Sequence, residues 1–183
     1  MDRLIELTRE KLQEHDNFAF GCSHTYGTGV EINETWAYKV GALNLGIESI
    51  SADTVVRFMK EVIKTHVPKK IYVLWPDWTR FEIVKDGNYK SLLSSDSDYI
   101  KYMKDHNETW LRSNFAQRVN ETKELCKNNN IKLQHMTLYD LIPYIDHADR
   151  WPISKLGHHY APEWHNWVAE LFLTVNEFPI AYD

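Results

Sequence analysis

Ile71-Tyr72-Val73-Leu74-Trp75 is an uninterrupted apolar run, preceded by Val67-Pro68-Lys69-Lys70 and followed by Pro76-Asp77. Its length suits a strand, and the absence of polar alternation means that both faces are covered. That is the environment of a central strand in a parallel sheet packed between helices. Upstream of it, residues 52 to 66 carry Val55, Met59, Val62 and Ile63 on one helical face, with Ser51 placed to cap the start and Pro68 to end it. Ala42-Leu43-Asn44-Leu45 reads as a short strand stopped at Gly46, and Asn17-Phe18-Ala19-Phe20 as another that enters Gly21-Cys22-Ser23. A helix over 2 to 14, with Leu4, Ile5, Thr8 and Leu12 along one side, precedes them.

Downstream, 97 to 128 reads as mostly helical, with Leu111, Phe115, Val119, Thr122 and Cys126 three or four residues apart. Asn128-Asn129-Asn130 stops it, and Ile131 to Leu138 is a last strand. Pro162 suits the first position of a final helix that turns Trp164, Val168, Leu171 and Phe172 inward. The polar stretch 83 to 107, with Ser94-Ser95-Asp96-Ser97-Asp98, reads as a solvated loop and helix start, or as a lid. Alternating strands and helices predict an α/β protein: a three-layer α/β/α sandwich on a central parallel sheet, one domain over 1 to 183. Ligands of such sheets bind beyond the carboxyl ends of the strands. Ser23, Gly46 and the segment after Trp75 all fall there, so three separated loops should converge.

Composition narrows the partners. A chain of 183 residues with 43% hydrophobic and 26% charged residues suits one buried core. A net charge of -5 without a basic stripe gives no support to a nucleic-acid partner. No apolar run approaches the roughly 20 residues of a membrane helix, and Met1-Asp2-Arg3-Leu4-Ile5-Glu6-Leu7 is not a secretory signal. Two cysteines, Cys22 and Cys126, make no disulfide framework, so a reducing, cytoplasmic setting is expected. The three Asn-x-Thr sequons at Asn33, Asn107 and Asn120 then read as incidental.

The chemistry concentrates in Gly21-Cys22-Ser23-His24-Thr25-Tyr26-Gly27-Thr28-Gly29. Small residues around a serine at a strand end allow a sharp turn, an exposed hydroxyl and backbone N–H groups able to hold an oxyanion. Taken alone, the loop equally describes a glycine-rich turn with an idle serine. Cys22 is a rival nucleophile, but neighbours on an extended segment point opposite ways and only one faces the site.

Gly21-Cys22-Ser23-His24-Thr25-Tyr26-Gly27 resembles the Gly-Asp-Ser-x-Thr-x-Gly block that opens SGNH (GDSL-like) hydrolases, with Cys22 in place of the aspartate. Asn44-Leu45-Gly46-Ile47-Glu48-Ser49-Ile50-Ser51 resembles the second block, Asn-x-Gly-x-x-Gly-x-Ser, whose first glycine donates an oxyanion N–H. The resemblance assigns Ser23 as nucleophile, Gly46 as a donor and Cys22 to the core, and it implies the flavodoxin-like SGNH fold. The third block, Gly-x-Asn-Asp, is replaced by Trp75-Pro76-Asp77-Trp78-Thr79-Arg80-Phe81, which is similar to a divergent, phage- and bacterial-like branch. It holds no asparagine; a carboxylate at Asp77 would repel an oxyanion unless protonated, and Thr79 or Arg80 is the substitute donor.

Gly157-His158-His159-Tyr160-Ala161-Pro162-Glu163-Trp164-His165 resembles the branch's His-x-Gly-Pro-x-x-His run and puts the base on His159, with His158 as rival. The family's aspartate stands three residues earlier, where this chain has Leu156. Asp149, in Ala148-Asp149-Arg150, resembles the usual lead-in followed by an insertion, with Asp146 in reserve. The imidazole needs such an acceptor to fix its tautomer.

The resemblance therefore implies a serine hydrolase of carboxylic esters, with O-acetyl groups on carbohydrate among the candidates and a small-molecule or carbohydrate ester as partner. The alternatives are an acyltransferase or a catalytically impaired binding or virion-associated protein. Trp78 and Trp151 are candidate stacking surfaces, while Trp164 reads as core. His147, His158, His159 and His165 with Asp146 and Asp149 match no zinc spacing, so neither metal nor other cofactor is expected.

Overall fold

The computed structural model describes residues 9–137 and 159–175. In chain order they form α1 (Arg9–Gln13), β1 (Asn17–Gly21), α2 (Ser23–Tyr26), a 3-10 turn (Ile32–Glu34), α3 (Trp36–Lys39), β2 (Leu43–Asn44) and α4 (Ala52–Thr65). Then follow β3 (Lys70–Trp75), β4 (Phe81–Lys85), β5 (Asn88–Leu92), α5 (Ser97–Tyr102), α6 (Glu108–Asn128), β6 (Lys132–Thr137) and α7 (Pro162–Thr174).

The apolar run is central, as its composition requires. The sheet order is β2-β1-β3-β6, every pairing is parallel, and Ile71 to Trp75 are all buried. One face is covered by α4 and α6, through Val55, Met59, Val62, Phe115, Val119 and Cys126. The other is covered by α3 and α7, through Trp36, Ala37, Trp164, Val168 and Phe172. The helices on both faces of a parallel sheet are the expected α/β architecture.

Each long helix buries the face its spacing predicted. Leu111, Phe115, Val119, Thr122 and Cys126 are the buried residues of α6, and Ser51 caps α4 by accepting the Thr54 N–H. Pro162 opens α7 as predicted, although Leu171 is only partly buried there.

Residues 97 to 128 are mostly helical as expected, in two helices separated by 103 to 107, where the Asn107 side chain caps α6 by accepting the Trp110 N–H. Two expectations need correction. The stretch 83 to 107 is not simply loop and helix start, because β4 and β5 form an antiparallel hairpin. Its turn is Asp86-Gly87, both at positive φ (52° and 76°), which is what a two-residue hairpin turn demands. The hairpin buries Phe81 and Leu92 with Leu111 in a small satellite core. Also, Ser23 to Tyr26 is a short helix rather than a glycine-rich turn, and Ser23 is buried where an exposed hydroxyl was expected.

The chain leaves β1 for the α3 side and leaves β3 for the α4 side. The ends of β1 and β3 are neighbours, so the connections diverge between them. This is the switch point at which open α/β sheets form their ligand crevice. No helix among the described residues is long and apolar enough to cross a membrane.

Candidate active site

Ser23 lies at that switch point as the first residue of α2, directly after buried Cys22, and is itself 8% exposed. The backbone turns tightly: the Tyr26 N–H reaches the Cys22 carbonyl at 2.9 Å, and the Gly27 N–H reaches that of Ser23 at 2.9 Å. Gly27 ends the helix at φ 86°, a left-handed position that favours glycine.

The loop after β2 is clamped onto this helix. Asn44 Nδ2 donates to the Thr25 carbonyl at 2.7 Å, and the Ile47 N–H to that of Gly21 at 3.0 Å. Gly46 lies so close that a Cβ there would stand 2.3 Å from Tyr26 N and 2.7 Å from the Thr25 carbonyl carbon. Only glycine allows the second loop to touch the first. The Gly46 N–H is turned to Asn44 Oδ1 at 3.0 Å, so an oxyanion would have to share or replace that acceptor.

The segment after β3 divides its roles. Asp77 Oδ1 accepts both the Thr79 N–H (2.8 Å) and the Thr79 hydroxyl (2.7 Å), closing a turn on itself. With its proton given to Asp77, the Thr79 hydroxyl is not the open donor that the sequence left in play. Arg80 differs: its Nη1 is buried and has no hydrogen-bond partner among the described residues. A buried, unpaired guanidinium nitrogen is costly unless something anionic is meant to meet it. Trp78 has an apolar role, packed against the α4–α6 face of the core and the hairpin's satellite core, with the Arg112 guanidinium 4.3 Å from its ring centroid. One face of the expected stacking platform is thereby occupied.

The last segment returns through Tyr160 and α7. His159 lies 5.2 Å from the His24 ring, centroid to centroid, and Tyr160 and Trp164 lie 5.5 and 5.4 Å from it. His24 follows Ser23 in sequence, so this cluster brings His159 to the short helix that Ser23 begins. Burial, then the nearby His159, His165 and Arg80, hold the His24 pKa down at about 3. His24 is a neutral ring at working pH. His165 is likewise pushed down to about 4, by burial first and then by Lys39 and His159. Its Nδ1 accepts the Trp36 N–H at 3.3 Å, which ties α7 to α3.

Gly46, Arg80 and His159 thus approach the short helix that begins at Ser23 from three separate segments, Gly46 against Thr25 and Tyr26 and the other two beside His24. Asp149, Asp146, His158 and Trp151 lie outside the described residues. Two contributors were not assigned from sequence. Asn44 was visible in the Asn-x-Gly stretch, but not its clamp on α2. His24 had no signal beyond its place after Ser23, because the rings that bury it come from the far end of the chain.

No family model matches this chain, and no curated protein does. Among solved structures it is similar to "a putative lipolytic protein of G-D-S-L family" from Desulfitobacterium hafniense DCB-2. That likeness has 15% identity and a TM-score of 0.46 over 87% of this chain and 98% of the other.

Proposed function

We propose that this chain is a divergent SGNH-type acyl hydrolase in which Ser23 is the nucleophile and His159 its base. The observation that carries the reading is the convergence of Ser23, Gly46 and the His24–His159 ring cluster at the switch point of a parallel sheet. The sequence blocks around Ser23, Gly46 and His159 support it independently.

In this reading Ser23 Oγ adds to an ester carbonyl as its proton passes to His159. The oxyanion is met by the Ser23 and Gly46 N–H groups and by the Arg80 guanidinium, which takes the place of the absent asparagine. Collapse expels the alcohol, protonated by His159, and water then releases the acid by the same route. Asp149 orients the imidazole. A charged donor suits the segment because Asp77 and Thr79 are spent on each other. An O-acylated carbohydrate is the preferred substrate, and transfer to an alcohol instead of water would use the same residues.

Covalent labelling by a fluorophosphonate, located by mass spectrometry, tests the assignment. Wild type should carry the adduct on Ser23 and Ser23→Ala none. Arg80→Gln should label roughly a hundredfold more slowly, the usual cost of one oxyanion donor. A folded wild-type protein without adduct would overturn the hydrolase reading in favour of a binding protein. The bond from the Gly46 N–H to Asn44 is the observation on that side.

A further inference from the structure

The loop that carries Gly46 continues as Ile47-Glu48-Ser49-Ile50, and these residues wall a cavity of about 430 Å3. Its other walls are α4, through Thr54, Arg57 and Phe58, and the β4–β5 hairpin, through Glu82, Tyr89 and Ser91. The volume lies in the range of small-ligand sites.

The walls are fixed in place. Arg57 Nε and Nη2 donate to the Glu82 carboxylate at 3.3 and 2.7 Å, and the Thr54 hydroxyl donates to it at 2.6 Å. Ser91 Oγ lies 2.9 Å from Thr54 Oγ1 and accepts the Ser51 N–H at 3.1 Å, while the Glu82 N–H reaches Asp53 Oδ2 at 3.1 Å. These bonds tie hairpin to helix along one side. The turn residue Gly87 also lines the cavity, and a Cβ there would meet nothing within 4 Å.

The lining selects among ligands. An anion finds no uncommitted positive charge, since two nitrogens of Arg57 are held by Glu82 and Glu48 adds a negative charge nearby. An acyl chain would bury Glu82, Thr54 and Ser91 against hydrocarbon, which costs free energy without return. A ligand that is neutral, apolar on its faces and hydroxylated at its edges meets each group with its complement. Phe58 and Ile50 supply the apolar base, and the Tyr89 ring, with Arg57 4.2 Å from its centroid, supplies a half-exposed aromatic wall. The Glu82 carboxylate and the Thr54 and Ser91 oxygens keep lone pairs as acceptors, and Arg57 Nη1, which makes none of the bonds above, supplies the donor.

From this arrangement we infer that the cavity beside the Gly46 loop is a saccharide-binding subsite. As the seat of the remainder of an acylated substrate it rests on the hydrolase reading, whereas binding of a plain saccharide does not.

The test is an amide-shift titration of 15N-labelled Ser23→Ala protein with tetrasaccharides of glucose, xylose and N-acetylglucosamine, and with hexanoate. At least one saccharide should give saturable shifts at the amides of 47–50 and 87–91. Tyr89→Ala and Arg57→Lys, with spectra otherwise those of the folded parent, should each weaken that binding about tenfold, the equivalent of one lost contact. Saturable shifts with no saccharide, shifts with hexanoate alone, or binding undiminished in Tyr89→Ala would each overturn the subsite. Ser23 labelling in wild type is read separately. A labelled protein that binds no saccharide loses only the subsite, and an unlabelled one that binds loses only the hydrolase reading.

Discussion

The two faces of the sheet are built from different chemistry. Beneath α4 and α6 the contacts are largely aliphatic, from Val55, Met59, Val62, Ile71, Val73 and Val119, and the Cys126 thiol among them is pushed up to about 12 by burial. Beneath α3 and α7 they are aromatic and carry polar atoms: Trp36, Tyr72, Trp164 and Phe172, bordered by half-buried His24 and buried His165. The indole nitrogens of Trp36 and Trp164 have no hydrogen-bond partner among the described residues. A largely aliphatic layer gains from burial with little to desolvate beyond the Thr122 hydroxyl of α6, which also has no partner among the described residues, whereas each unpaired buried donor costs about 1–3 kcal/mol. The aromatic face gives up stability in this way and carries two rings, His24 and His165, that its packing holds neutral next to His159.

If the faces divide this way, damage to the loops at the sheet's edge should remove reactivity, and damage to the aliphatic face should remove stability alone. Gly46→Ala should have the largest effect. Its Cβ would meet backbone atoms of Thr25 and Tyr26, which cannot move aside as a flexible side chain would. Fluorophosphonate labelling of Ser23 should be lost even under conditions where circular dichroism shows a folded protein. Labelling at the wild-type rate would mean that the two loops are not in register for a shared oxyanion.

Met59→Ala comes next. Met59 is fully buried on the α4 face, and its truncation should lower unfolding free energy by about 3 kcal/mol in denaturant titrations. Labelling per folded molecule should not change. A slowed label would show that the aliphatic face also positions the site and would break the division of labour.

The same division explains what could be read from sequence. The strand at 71 to 75 and the stripe from Leu111 to Cys126 were legible because burial repeats with the period of the element. Gly46 was legible as a strand stop within the Asn-x-Gly stretch, and the structure adds why only glycine fits there, its close approach to the Thr25 and Tyr26 backbone. The hairpin was legible too, in Asp86-Gly87 between Phe81-Glu82-Ile83-Val84 and Tyr89-Lys90-Ser91-Leu92, yet it read as polar loop. Its middle is exposed, at 63% for Val84 and 55% for Tyr89, and only Phe81 and Leu92 at its base are fully buried. His24 could not be read at all. Its neutrality depends on rings of Tyr160 and Trp164 brought from more than a hundred residues away. Arg80 was legible as one of two substitute donors; what the sequence lacked was the bond that occupies Thr79 on Asp77 and leaves Arg80 Nη1 without a partner among the described residues.

The smallest effect is the one that isolates the aromatic face. His24 and His165 hold folded pKa values of about 3 and 4, below the unfolded value of 6.5. Between those limits the unfolded chain binds protons that the folded chain refuses, so stability is complete above pH 6.5 and falls as pH is lowered toward 3 or 4. At pH 5 each ring should have withdrawn roughly 2 kcal/mol. The groups facing His24, namely His159, His165 and Arg80, are all basic and reinforce that direction. His24→Phe keeps a ring against Tyr160 and Trp164 but cannot be protonated, so its stability should fall by roughly 2 kcal/mol less than that of wild type between neutral pH and pH 5. Denaturant titrations at the two pH values measure the difference. Parallel losses in the two proteins would show that His24 is not held neutral by its burial, and the proton-sensitive part of the aromatic face would reduce to His165.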